Sequence, residues 1–158
     1  MRRQRNNTVL RQWEDVPEFM KNEKVKEYYD ILNKRRFQLK VKRIFDVIMS
    51  FVLILLLSPV FLGIAIWIRL DSSGPVFYKQ ERITQYGRKF QIFKFRTMVD
   101  NADQRGTLIT LRNDTRITKA GEKIRKLRID EIPQLFNIFI GDMSFVGTRP
   151  EVGKYVAT

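Results

Sequence analysis

Three short clusters that mix basic and acidic residues are where this chain could carry chemistry: KFRTMVDNAD (94–103), RIDEIPQLFN (128–137) and GTRPE (147–151). Arginine presents a planar fork of donors that matches phosphate oxygens. A carboxylate can hold a hard cation such as Mg2+, or act as a base or nucleophile. Arg96, Arg149, Asp100, Asp103, Asp130 and Glu131 are therefore the candidate groups, and a phosphorylated substrate is the ligand class that suits them. Composition alone carries this only part of the way, because Arg/Asp pairs are commonly surface ion pairs of small consequence.

The residues that are missing narrow the chemistry further. The chain has no cysteine and no histidine, which removes disulfides, thiolate metal sites and the commonest general base. There is no G-x-x-x-x-G-K-[ST] loop and no G-x-G-x-x-G, so any nucleotide must be recognised in another way.

The element that must position these groups is apolar. Residues 42–70 read KRIFDVIMSFVLILLLSPVFLGIAIWIRL, with no charge between Asp46 and Arg69. About 22 uncharged residues at roughly 1.5 Å each suffice to cross a hydrocarbon core of roughly 30 Å. Ser58-Pro59 interrupts the run near its middle, where proline removes a donor and clashes with the preceding turn. Two readings compete: a kinked spanning helix, and a helix-break-helix hairpin that enters and leaves on one side. In the hairpin each half is about a dozen residues, or roughly 18 Å, too short to cross alone. The net charge of +13 is shared by both flanks, with 13 Lys/Arg against 6 Asp/Glu in residues 1–45 and 16 against 10 in residues 71–158. Basic residues accumulate on the cytoplasmic side, so this distribution favours the re-entrant hairpin. Asp46, at its mouth, is placed to pair with Arg43 or to snorkel, and carbonyls freed at the break need partners such as the Ser58 hydroxyl. Trp67, near the exit, suits the headgroup layer. Anionic headgroups and phosphorylated substrates account for the basic charge, so no nucleic acid is expected.

Around the apolar run, residues 1–12 read as a basic tail and 16–42 as a basic amphipathic helix, at the lipid interface or packed on the protein. After the turn DSSGP (71–75), the runs VFYKQERI and RKFQIFKF, separated by TQYG, predict a β-hairpin. Thr118 is a candidate cap for a helix over 119–127. Asp130 is one for a helix over EIPQLFNIF, ending at Gly141. The expected fold is membrane-associated α/β, mostly helical. It divides into an N-terminal tail and helix (1–41), a re-entrant helix (42–70) and a cytoplasmic domain (71–158) with a β-hairpin and surface helices.

From residue 42 onward the chain resembles the bacterial sugar transferase family, the monotopic phosphoglycosyl transferases. KRIFDV, the apolar run with Ser58-Pro59, GPVFYKQERI, KFRTM, the LDELPQL-like run at 127–135 and GDMSFVGTRP (141–150) occur in the family's order. The resemblance implies a re-entrant helix with both ends cytoplasmic, and therefore the cytoplasmic face of the bacterial inner membrane. It implies transfer of a phosphosugar from a UDP-sugar to polyprenyl phosphate, initiating surface glycan or exopolysaccharide assembly. It further implies a ping-pong route through an aspartyl-phosphosugar, with Mg2+ as cofactor. Asp100 falls on the family aspartate and would be nucleophile and metal ligand, with Asp103 as the second candidate. Arg96 and Arg149 match positions that engage the diphosphate, and Asp130-Glu131 matches the DE of LDELPQL, in a metal, base or capping role. The chain departs from the pattern at Asn101, where the family has glutamate, and at Thr148, where it has proline. The family continues for several tens of residues beyond RPE, so the domain is expected to extend past residue 158. The alternative is an inactive membrane-anchored binding or regulatory paralogue.

Overall fold

A computed structural model describes residues 9–102 and 114–153. Among these the chain is mostly helical with one two-stranded antiparallel sheet. Helix α1 spans Glu23–Lys34, α2 Arg36–Leu56 and α3 Ser58–Asp71; β1 spans Phe77–Thr84 and β2 Arg88–Phe95; α4 spans Lys119–Lys126 and α5 Gln134–Ile140.

The apolar run forms α2 and α3, bent by 59° at Leu57. Proline is favoured in the first turn of a helix, where its missing N–H has no intrahelical acceptor. Pro59 therefore starts α3 as much as it stops α2, and the Ser58 hydroxyl satisfies the Leu55 carbonyl at 2.8 Å. The two halves are longer than the dozen residues expected: α2 has 21 and α3 has 14. The excess in α2 is its first two turns, where Arg36, Lys40, Lys42 and Arg43 continue the same helix ahead of the apolar residues. No single helix among the described residues is long and apolar enough to cross a membrane; only the two halves of the bent pair taken together reach that length and composition. Both helices leave large apolar side chains exposed, among them Ile44, Ile48, Leu56, Leu62 and Leu70. An exposed apolar field of this kind marks an interaction surface.

The opposite side of α3 makes the core. Ile64 and Ile68 pack with Phe95 of β2 and Ala120 and Ile124 of α4, and Phe61, Val76 and Ile129 close the cluster. The hairpin register pairs Phe77 with Phe95 and Thr84 with Arg88, and the turn passes through Tyr86 in the left-handed region (φ 63°). The outer edge of β2 is covered by Asn137 of α5. Its buried side chain accepts from the Phe93 amide at 2.9 Å and donates to the Gln91 carbonyl at 2.7 Å. Arg43 of α2 donates to the Ile138 and Phe139 carbonyls at 2.6 and 2.9 Å, placing a cation at the carbonyl end of α5.

Three local expectations change. Asp46 is 3% exposed and pairs with Lys42, not Arg43, while also accepting from the Ser144 hydroxyl at 2.7 Å. Arg43 is taken by α5. Asp130 caps no helix: it lies in a 3-10 turn, Ile129–Glu131, and α5 begins beyond Pro133. The segment 16–42 is a 3-10 turn, α1 and the first turns of α2, separated at Arg35. Thr118 does cap α4, accepting from the Gly121 amide at 3.0 Å, and Gly141 ends α5 at φ 93°.

Residues 9–20 fold back onto the hairpin tip. The Arg11 amide donates to the Tyr86 hydroxyl at 3.1 Å, and the Arg11 guanidinium lies 4.7 Å from that ring's centre. The Arg11 carbonyl accepts from Tyr29 of α1 and Arg36 of α2, tying tail, hairpin and both helices at one residue.

Candidate active site

The end of β2 carries Arg96, and its setting follows from the turn before β1. Gly74, at φ 112°, leaves room for the Arg96 guanidinium; a Cβ there would collide with Arg96 Nη1 and come within 3.3 Å of the Asp100 side chain. Arg96 is 5% exposed and donates through Nη2 to the Ser72 carbonyl and hydroxyl, both at 2.7 Å. Its Nε and Nη1 are buried and have no hydrogen-bond partner among the described residues. Burial lowers the Arg96 pKa; the Asp100 charge opposes this, Arg69 adds to it and Asp71 opposes it. An arginine so placed stays charged, so its unpaired donors favour an anion.

Asp100 follows in a turn held from the other side by α4. The Thr97 carbonyl accepts from the Thr118 amide at 3.1 Å, and Gly121 lies so close to that carbonyl that any Cβ would overlap it. Val99 donates to the Arg116 carbonyl at 2.8 Å. Asp71, at the end of α3, accepts from the Ala120 amide at 3.0 Å, so the bent helix pair and the KFRTM strand end are joined through α4. Asp100 Oδ1 accepts from the Asn101 amide at 3.1 Å, and Asn101 adopts φ 58°. Asparagine tolerates that left-handed geometry better than most residues. Asp103 lies outside the described residues.

These groups face a cleft of about 350 Å3. Its described lining includes Tyr78, Gln80 and Arg82 of β1, Lys94 of β2, and Arg96, Asp100, Asn101, Arg125 and Asp130. Among the described residues five cations (Arg82, Lys94, Arg96, Arg116, Arg125) against two carboxylates (Asp100, Asp130) line the cleft, which suits an anionic ligand. Burial raises the Asp130 pKa, against the opposing pull of Lys94. Burial acts the same way on Glu131, but Lys94 and Arg149 outweigh it and hold that carboxyl below its ordinary value.

All three sequence clusters therefore meet, though not at one point. Arg96, Asp100, Asn101 and Asp130 line the cleft; Glu131 and Arg149 form an ion pair at 2.7 Å that is not part of its lining. Ser58 and Pro59 are at the helix bend. Gly74, Ser72, Gln80 and Arg82 were not singled out from the sequence. The DSSGP turn and the alternating Tyr78, Gln80, Arg82 of β1 were the available signals. A second, shallow groove of about 270 Å3 runs beside α3, lined by Ala65, Ile66, Leu70 and Val76 with Arg69 at its edge.

Among the described residues no three acidic side chains converge as a metal cage. Mg2+ commonly takes one or two carboxylates and completes its shell with substrate phosphates and water. Asp100 in a cleft built for an anion fits that mode.

The chain belongs to the bacterial sugar transferase family, whose profile matches residues 37–158. A UDP-N-acetylgalactosamine-undecaprenyl-phosphate N-acetylgalactosaminephosphotransferase of Aeromonas hydrophila is 45% identical over 116 residues, 73% of this chain and 27% of that protein. An undecaprenyl-phosphate glucose phosphotransferase of Komagataeibacter xylinus is 47% identical over 110 residues, 69% of this chain and 21% of the relative. The exopolysaccharide production protein ExoY of Rhizobium meliloti (strain 1021) is 42% identical over 127 residues, 70% and 56% respectively. The chain thus spans between 21% and 56% of the length of these three relatives.

Proposed function

We propose that this chain transfers a phosphosugar from a UDP-sugar to polyprenyl phosphate at the cytoplasmic face of the bacterial inner membrane, a step that initiates exopolysaccharide or other surface-glycan assembly. The observation that carries the reading is Arg96, a buried cation with two nitrogens unpaired among the described residues, beside Asp100 in a cleft whose described lining is net positive. The matched stretch is shared by relatives named for N-acetylgalactosamine and for glucose, so the proposal covers the phosphate chemistry and not the sugar.

In this mechanism Arg96 binds the diphosphate and Arg149 exchanges Glu131 for it. An Asp100 carboxylate oxygen attacks the sugar-linked phosphorus, the bond to the bridging oxygen breaks, and UMP leaves with that oxygen. A polyprenyl phosphate oxygen then attacks the same phosphorus and the Asp100 carboxylate is restored. A carboxylate suits both steps, since it is nucleophilic when ionised and a good leaving group from an acyl phosphate. Mg2+, held by Asp100 with the substrate phosphates, would neutralise charge developing on the diphosphate. The cations of the cleft supply the remaining stabilisation, already oriented before the substrate arrives.

The exposed apolar face of α2 and α3 would set the protein in one leaflet as a re-entrant hairpin. The groove beside α3 would guide the lipid tail, with Arg69 at its edge meeting the phosphate. Incubation of the detergent-solubilised chain with Mg2+, polyprenyl phosphate and a panel of UDP-sugars tests the reading. UMP release is expected with at least one donor. No release with any of them contradicts transfer and favours a binding paralogue.

A further inference from the structure

The β1 wall of the cleft carries a group whose orientation is fixed by chemistry. Arg82 donates through Nε and Nη2 to Gln80 Oε1 at 3.2 and 2.8 Å, and through Nη1 to the Pro150 carbonyl at 3.3 Å. A guanidinium has donors and no acceptor, so the Gln80 atom facing it must be the oxygen. The Gln80 amine is thereby the free end, and its side chain makes no other hydrogen bond among the described residues. Gln80 lines the cleft, as does Tyr78 two residues earlier on the same strand face.

Position along the sheet fits this wall to one part of a nucleotide. The Arg96 amide pairs with the Val76 carbonyl, and Gln80 lies four residues further along β1, roughly 13 Å at strand spacing. With the diphosphate at Arg96, a nucleoside laid along this wall would bring its base to Gln80. An amine that can only donate complements a carbonyl oxygen and leaves another amine unpaired. Uracil carries an oxygen at its 4-position where cytosine carries an amine.

We propose that Gln80, oriented by Arg82, reads the 4-oxygen of the donor's pyrimidine and makes this site select uridine over cytidine diphosphates. Tyr78 supplies the ring against which the base lies. The assignment rests on the transfer reading for the location of the diphosphate, and on the Gln80–Arg82 geometry for the choice of base.

The test is calorimetric titration of UDP and of CDP into the detergent-solubilised chain with Mg2+, for the unaltered protein, Gln80→Ala and Gln80→Glu. UDP is expected to bind about tenfold more tightly than CDP, the scale of one well-placed hydrogen bond against an unpaired group. Gln80→Ala should bring that ratio to about one. Gln80→Glu keeps an acceptor for Arg82 but presents an oxygen to the base, and should move the ratio towards CDP. A purely structural Gln80 would weaken both nucleotides equally, and an unchanged ratio in a folded Gln80→Glu protein overturns the proposal. The two readings fail separately. UMP release with an unchanged ratio removes the base assignment alone. A Gln80-dependent ratio with no UMP release from any UDP-sugar removes the transfer reading alone. Binding of neither nucleotide removes both.

Discussion

Arg149 Nη2 lies 2.7 Å from Glu131 Oε1, and Lys94 Nζ reaches the same oxygen at 3.2 Å, so one carboxylate oxygen joins GTRPE, RIDE and the first residue of KFRTM. The pair is partly exposed, and its net contribution to stability is small. Its value lies in position: it holds a loop arginine beside the cleft wall with a partner it can give up.

The two adjacent carboxyls should respond to pH with opposite signs. Glu131 is held below its ordinary 4.5, so the folded state binds fewer protons there; its stabilisation is present above 4.5 and is lost as pH falls through the folded value. Asp130 is raised above 3.8, so stability declines as pH rises from 3.8 through its folded value. Melting curves between pH 3 and 7 on Glu131→Gln and Asp130→Asn check this. The deficit of Glu131→Gln should shrink on acidification, and Asp130→Asn should gain relative to the unaltered protein as pH rises. Parallel curves would contradict both assignments.

Gly74→Ala should damage the site more than the fold. The new methyl would occupy the space of Arg96 Nη1 at a positive φ, displacing the guanidinium. The KM for the nucleotide-sugar is expected to rise at least about tenfold, the scale of a lost charge-assisted hydrogen bond. An unchanged KM would mean that Arg96 does not hold the diphosphate.

The hairpin tip should loosen when its tie to the N-terminal segment is cut. Tyr86→Phe removes the acceptor of the Arg11 amide, at about 1 kcal/mol for one hydrogen bond. Hydrogen exchange at Arg11 should accelerate in that variant. Unaltered exchange would show that the ring contact and the Tyr29 and Arg36 hydrogen bonds to the Arg11 carbonyl hold the segment without the Tyr86 hydroxyl.

The parts legible in the sequence were those decided locally. Thr118 followed by a helix, Gly141 at a helix end, and two strand-like runs around TQYG each need only near neighbours to be read. The mouth of the apolar run was misread because Asp46 chooses its partner by tertiary placement. Lys42 lies one turn before it, but Ser144 is nearly a hundred residues away, and Arg43 is drawn off by α5. The cleft wall was hidden for a related reason. The alternation of Tyr78, Gln80 and Arg82 was visible, but which face meets Arg96 depends on the register with β2 and on α4.

Topology can be read directly, because the chain has no native thiol. Single cysteines at Lys24 and Gln85, both exposed and on opposite sides of the bent pair in sequence, should label from the same side of sealed membrane vesicles. Labelling from opposite sides would replace the re-entrant hairpin with a spanning helix. Pro59→Ala should shift the population in that direction, since it removes the residue that starts α3.

The most direct test of the central claim is capture of the covalent phospho-enzyme. With a UDP-sugar labelled at the sugar-linked phosphate and no polyprenyl phosphate, the unaltered chain and Asp103→Asn should both take up label in a hydroxylamine-sensitive acyl phosphate, and Asp100→Asn should take up none. Label retained by Asp100→Asn and lost from Asp103→Asn would contradict the assignment of Asp100 as nucleophile.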